Sequence, residues 1–234
     1  QTVISQKKSS TTSVNSQGGV QLTDYEIDVN NYDENRHFFL AHYFRDRYDD
    51  NMRNLPNIMS GIKINRIEVW VTNKSGATQN IRDIVAFTDI AESSVYNHNL
   101  WIGSTQQHPQ NNSNSLYAEI SNIANTSRDI TRISALLDAQ MLVGGKDYEK
   151  LENAKLLSAN EYELNEALGY LSLRSALQPD QVLAVAFEYT YNGQIYQVGE
   201  FATDIRETNK ALFVKTLKNT ANTPQMLNWD LMMK

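Results

Sequence analysis

The chain contains no cysteine, so disulfides, thiolate metal sites and cysteine nucleophiles are all excluded. It contains no apolar run near the roughly 18 residues of a membrane helix, and it opens on no signal-peptide pattern. Histidine is scarce: the four are His37, His42, His98 and His108. His37 and His42 are five positions apart, so on one helix they would point about 140° from each other and could not share a metal. No G-x-S-x-G elbow occurs, which leaves an α/β-hydrolase serine without its turn. Gly144-Gly145-Lys146 has the look of a phosphate loop, but Asp147 follows where a Ser or Thr belongs, and Gln140 stands in place of the first glycine. These glycines read instead as a helix stop. A net charge of −6 argues against nucleic acid as a partner.

What is present is a globular composition: 41% hydrophobic and 21% charged residues over 234 positions, enough for one sizeable core or two small ones. The 25 asparagines favour turns and loops. The absent initiator Met and the abrupt ending at Met232-Met233-Lys234 suggest a segment of a longer protein.

Residues 1–19 are Ser-, Thr- and Gln-rich and read as a linker or edge strand, and 20–29 as a bulged strand. The rest, 20–234, reads as one domain with a possible division into lobes 20–145 and 146–234. Leu40, Phe44, Tyr48 and Met52 recur every four residues, predicting a helix over 34–53 capped by Asp33 and ended at Leu55-Pro56. On it, Asp46, Asp49 and Asp50 alternate with Arg45, Arg47 and Arg53, as expected of a solvated face rather than a calcium site. Residues 62–73 read as a strand with 81–90 as its partner, and 93–128 as a polar loop. A stripe of Ile130, Ile133, Leu136, Leu137 and Met141 predicts a helix over 128–142, capped by Ser127 and stopped by Gly144-Gly145.

The last third reads as β: two short strands around Asn165-Glu166, a strand over 211–217 and another over 229–233. The firmest local pattern lies at 182–201, where Asn192-Gly193 joins two alternating runs through a type I′ turn. That register places Tyr189 opposite Tyr196 and Phe187 opposite Val198, and the doubly apolar stretch 182–186 should be a buried central strand. The expected fold class is α+β, a largely antiparallel, sandwich-like β-domain with about two inserted helices. Trp70 reads as core. The candidate partner-facing residues are Trp101, in a polar loop, and the hairpin face of Tyr189, Tyr191 and Tyr196, although aromatic cross-strand clusters are usually core.

Four stretches, YDENRHFFLAHYFRDRYDDNMRNLP at 32–56, INRIEVWVTN at 64–73, RDIVAFTDIAE at 82–92 and the long run from Tyr148 to Phe201, together with the closing NWDLMMK, resemble the SprA/Sov family. These are the outer-membrane translocons of the type IX secretion system. The resemblance implies a soluble insert of a very large β-barrel, without cofactor or catalytic residues. Its implied partners are the rest of that barrel, other type IX components and secreted cargo. The chain lacks the repeated ten-residue alternation and aromatic girdles of a membrane barrel, so within such a family it is expected as a soluble insert at the outer membrane. Barrel proteins have short periplasmic turns and long extracellular loops, which makes the extracellular side the expected one. Two other classes compete with this non-enzymatic structural role. One is a carbohydrate-binding β-sandwich module, which an exposed coplanar Tyr/Trp platform would favour. The other is a hydrolase, which two carboxylates about 5–9.5 Å apart in a cleft would favour.

Overall fold

A computed structural model describes residues 33–105, 107–124 and 128–233. The expectations for 1–29 and for a Ser127 cap lie outside the described residues. Residues 33–233 belong to one compact unit.

Nine strands form two sheets among the described residues. The smaller has the order β1 (His37–Phe39), β6 (Tyr170–Leu173), β5 (Tyr162–Asn165). The larger runs β2 (Ile62–Val71), β4 (Tyr148–Leu156), β3 (Ile81–Phe87), β9 (Leu212–Lys218), β7 (Leu183–Tyr191), β8 (Gln194–Val198). β2 also pairs with β7 along nearly its whole length, from Ile62↔Tyr191 to Val71↔Leu183. The larger sheet therefore closes on itself: β2, β4, β3, β9 and β7 make a ring, sealed by the short β2–β4 seam at Trp70↔Leu156 and Val71↔Lys155. β7 carries β9 on one edge at Leu183–Val185 and β8 on the same edge from Phe187 onward. Among the described strand pairs, only β3–β9 is parallel. The architecture is α+β and largely antiparallel, as expected.

Strand alternation explains why the ring fills. One face of each strand supplies Trp70, Ile84, Ala86, Leu151, Ala184, Ala186, Leu212 and Val214, which form a single buried cluster with Phe201. The alanines make room for the Trp70 ring, so the barrel is packed rather than hollow. Arg82 faces the same way and donates to the Ile205, Glu207 and Lys210 carbonyls, holding the 205–210 loop. The opposite faces are covered twice. Val69, Val71, Val185 and Phe187 pack under the smaller sheet and Phe44. Val85, Phe87 and Phe213 pack under the helices α3 (Leu116–Ala124) and α4 (Ile130–Asp138). This double cover is why 183–187 is apolar on both faces and wholly buried.

The 182–201 hairpin has the expected register, including Tyr189↔Tyr196 and Phe187↔Val198. Asn192 and Gly193 both adopt positive φ, 49° and 77°, as a type I′ turn requires. Other expectations need correction. The 34–53 segment is a strand, β1, followed by two five-residue helices, α1 (His42–Asp46) and α2 (Tyr48–Met52), broken at Arg47. The edge of β6 captures His37–Phe39 as strand, and Ala41, not Asp33, is the helix N-cap. The 81–90 run is a strand but pairs with β4 and β9, not with 62–73. β4, unexpected from its Glu- and Lys-rich sequence, inserts between the two. The proposed lobes interleave, because β4, β7 and β9 come from one and β2 and β3 from the other. The 93–128 stretch contains α3, and 229–233 belongs to a 3₁₀ turn, Leu227–Leu231, with a single bridge from Met232 to Phe38.

α4 ends a turn earlier than expected, and the stop is not Gly144-Gly145. Asp129 caps its start, accepting from Thr131 N. At its end, Leu142 N donates to Leu137 O and Met141 N to Asp138 O. These are the two bonds of a Schellman motif. Met141 occupies the left-handed position, at φ 63°, while Leu142 packs with Leu137 in the core.

Candidate functional site

The hairpin tyrosines lie under cover. Tyr189 is fully buried, and its hydroxyl donates to the Pro109 carbonyl at 2.9 Å. Its ring stacks on Tyr196 at 5.2 Å and meets Phe44 edge-on. Burial pushes its phenol well above the ordinary range. Tyr191 and Tyr196 are half-buried, because the His108 ring lies 4.5 Å from one and 5.3 Å from the other. Tyr43 of α1 approaches the same imidazole at 5.1 Å, and the Arg47 guanidinium lies 3.9 Å above the Tyr43 ring. Trp101 is not exposed: only 4% of its surface is accessible, and it packs with Val95, Leu116 and Ile120 under the α3 layer. The structure thus brings Tyr189, Tyr191 and Tyr196 together on one face and assigns Trp101 to a different core. These four side chains do not form an exposed coplanar platform.

Beside the tyrosines, a cavity of about 240 Å³ is walled by His42, Tyr43, Arg47, Glu92 and Pro109. At its base lies a buried charge cluster. The Glu92 Oε1 is 2.7 Å from Lys215 Nζ and 3.0 Å from His42 Nδ1. Lys215 is wholly inaccessible and also donates to the Thr88 and Ile90 carbonyls. The other ring nitrogen of His42 meets Leu227 O at 3.0 Å. Desolvation would raise the Glu92 pKa, but Lys215 and then His42 outweigh it and hold the carboxyl at about 2. The neighbouring Asp89 accepts from the amides of Tyr96 and Asn97, yet burial still pushes its pKa up.

A second buried cluster ties the helical layer to the barrel. Both terminal nitrogens of Arg128 donate to the two oxygens of Glu200, at 2.7 and 2.8 Å, and the Tyr117 hydroxyl donates to the same carboxylate. Phe213 N supplies a fourth donor, and the Arg128 guanidinium lies 4.3 Å over the Phe213 ring. The Tyr117 phenol is pushed up to about 12, by burial first and by the Glu200 charge second.

Another cleft, of about 300 Å³, lies between the ends of β2 and β6 and presents Lys74, Lys155 and Arg174. Each cation is already paired, with Asp180, Glu161 and Glu163 respectively. On α2, Asp50 pairs with Arg53 three residues on, as a solvated face requires. Among the described residues, no three His, Asp or Glu side chains converge in a way that could hold a metal ion. The arrangement works chemically as an anchor, because the deepest carboxylates spend their acceptors on cations and backbone amides.

Glu92, Lys215, Arg128 and Glu200 escaped sequence reasoning. The available signal was a charge centred in an apolar run, Lys215 in ALFVKTL and Glu200 in VGEF, which demands a buried partner. No protein-family model matches the chain, and no curated protein is similar to it at a significant level.

Proposed function

We propose that this domain is a non-catalytic structural and interaction element of the outer-membrane protein translocon of the type IX secretion system. It serves as a soluble insert on the extracellular side, with the translocon barrel, other type IX components and secreted cargo as its partners. Two lines support this reading. The first is the resemblance to the SprA/Sov family over 32–56, 64–73, 82–92 and 148–201. The second, and the observation that carries it, is the filled and doubly covered barrel, where the buried carboxylates of Glu92 and Glu200 lock cover to core. Such a block is suited to bearing load and presenting a fixed outer surface, as a piece of a large channel must. Among the described residues no helix is long and apolar enough to cross a membrane. The burial of Tyr189 and Trp101 removes the platform that a carbohydrate-binding module would need from these residues.

The test is an in-frame deletion of residues 20–234 in the parent protein, with barrel expression preserved. Export of type IX cargo should fall, or the outer membrane should become leaky to small antibiotics. Normal export with an intact permeability barrier would overturn the reading.

A further inference from the structure

The segment Gln107–Gln110 lies across the tyrosine face and is pinned by polar bonds. Arg47 Nη2 donates to Gln107 Oε1 at 3.1 Å, Ser113 Oγ to the His108 carbonyl at 2.8 Å, and Tyr189 Oη to the Pro109 carbonyl. Its one large inserted side chain is His108, whose ring sits among Tyr43, Tyr191 and Tyr196 at 5.1, 4.5 and 5.3 Å. The His108 Nδ1 is buried and meets no hydrogen-bond partner among the described residues.

We propose that His108 is a proton-operated latch: neutral, it wedges the segment onto the tyrosine face, and on protonation it leaves the box and bares that face. The geometry supplies the reason. A neutral imidazole fits between rings as a flat, weakly polar plate. An imidazolium needs acceptors for both N–H groups, and the box leaves Nδ1 without one. The groups facing it are the phenols of Tyr43, Tyr191 and Tyr196 and the cation of Arg47, none of them an anion. Asp46 and Glu92 line the adjoining cavity, but Glu92 is committed to Lys215 and His42. Cation–π attraction to the tyrosines opposes this. Burial first and the Arg47 charge second push the His108 pKa below the ordinary 6.5.

The sign follows. With its closed-state pKa depressed, His108 favours the latched form above the ordinary value and withdraws that support as pH falls below 6.5 towards the closed-state pKa. Within that window one proton is taken up on opening, so the opening constant rises by up to about tenfold per pH unit. Release would join the tyrosine face to the cavity of about 240 Å³ walled by Pro109 and Arg47. The latch is independent of the translocon reading.

The test is an NMR titration of the full chain, combined with amide exchange at Gln107, His108 and Gln110 corrected for its intrinsic pH dependence. His108 should titrate below 6.5, and exchange in the segment should accelerate as pH falls from 6.5 to 5. His108→Phe should keep the segment protected throughout that range. Arg47→Gln, which removes the facing cation, should raise the His108 pKa and remains readable if the phenylalanine variant fails to fold. A His108 that titrates at or above 6.5, or segment exchange that rises equally in wild type and His108→Phe, would overturn the latch.

Discussion

Lys215 Nζ lies 2.7 Å from Glu92 Oε1, and neither side chain has appreciable access to water. The lysine sits on β9 and the glutamate on the loop after β3, so one ion pair fastens the turn to its neighbouring strand. Removing one member leaves the other buried and charged. Glu92→Gln or Lys215→Met should each cost about 3–5 kcal/mol, while the double substitution should cost much less than the sum. Urea midpoints of the four proteins measure this; additive costs would mean the pair is not coupled.

The same pair governs acid stability. The folded-state pKa of Glu92 is about 2, below the ordinary 4.5, so its contribution is fully present above pH 4.5 and is lost as pH falls towards 2. Thermal melts from pH 5 to 2 should therefore fall more steeply in wild type than in the Lys215→Met/Glu92→Gln protein. Parallel curves would refute the assignment.

Met141 stands in the left-handed position of the Schellman motif and exposes 78% of its surface. Replacing it with glycine sacrifices little packing and relieves the conformational cost of a side chain at positive φ. Met141→Gly should stabilise the domain by about 0.5–1 kcal/mol, after glycine's greater unfolded-state freedom is subtracted. A rise in the denaturation midpoint is the expected result.

Gly193 and Gly169 share the same backbone conformation, with φ of 77° and 67°. A Cβ on Gly193 would meet nothing within 4 Å, whereas on Gly169 it would lie 2.4 Å from the Phe44 ring. Gly193→Ala should cost only the backbone strain, about 1–2 kcal/mol. Gly169→Ala adds overpacking of about 1–3 kcal/mol, because Phe44 is buried between β6 and β7 and cannot retreat. Equal losses in the two variants would show that Phe44 yields.

The hairpin was legible because two local signals agree there, strict alternation and an Asn-Gly turn, with no need of distant contacts. β2 was legible as a strand from its β-branched and aromatic residues, but its pairing with β7, more than a hundred residues on, was not. β4 was not: YEKLENAKL is rich in helix formers, and its alternation is broken by a bulge where Asn153 turns to φ 50°. The four-residue spacing of Leu40, Phe44 and Tyr48 proved to report a shared core rather than one helix, since all three join the cluster between the sheets. Trp101 misled through its polar neighbours, whose asparagines cap and turn the backbone, as Asn114 does by bonding the Asp89 and Glu92 carbonyls. The buried ion pairs join residues far apart in sequence, and single-sequence patterns carry no record of which charge meets which.

The closed ring also sets the order in which the chain can be made. β3 ends at Phe87, yet its parallel neighbour β9 begins only at Leu212, and β2 waits for β7 at Leu183. A ribosome, or a secretion channel delivering the N-terminus first, releases β2 and β3 long before either partner emerges. Until β4 arrives at Tyr148 neither strand has a partner, and until β7 and β9 arrive each keeps an open edge, with Val69, Trp70, Val85 and Phe87 uncovered. Contacts of such long range are slow to form, and open strand edges recruit other chains. The barrel can therefore neither fold in instalments nor tolerate truncation before Lys218, and escort by a holding chaperone is the expected requirement during its biogenesis.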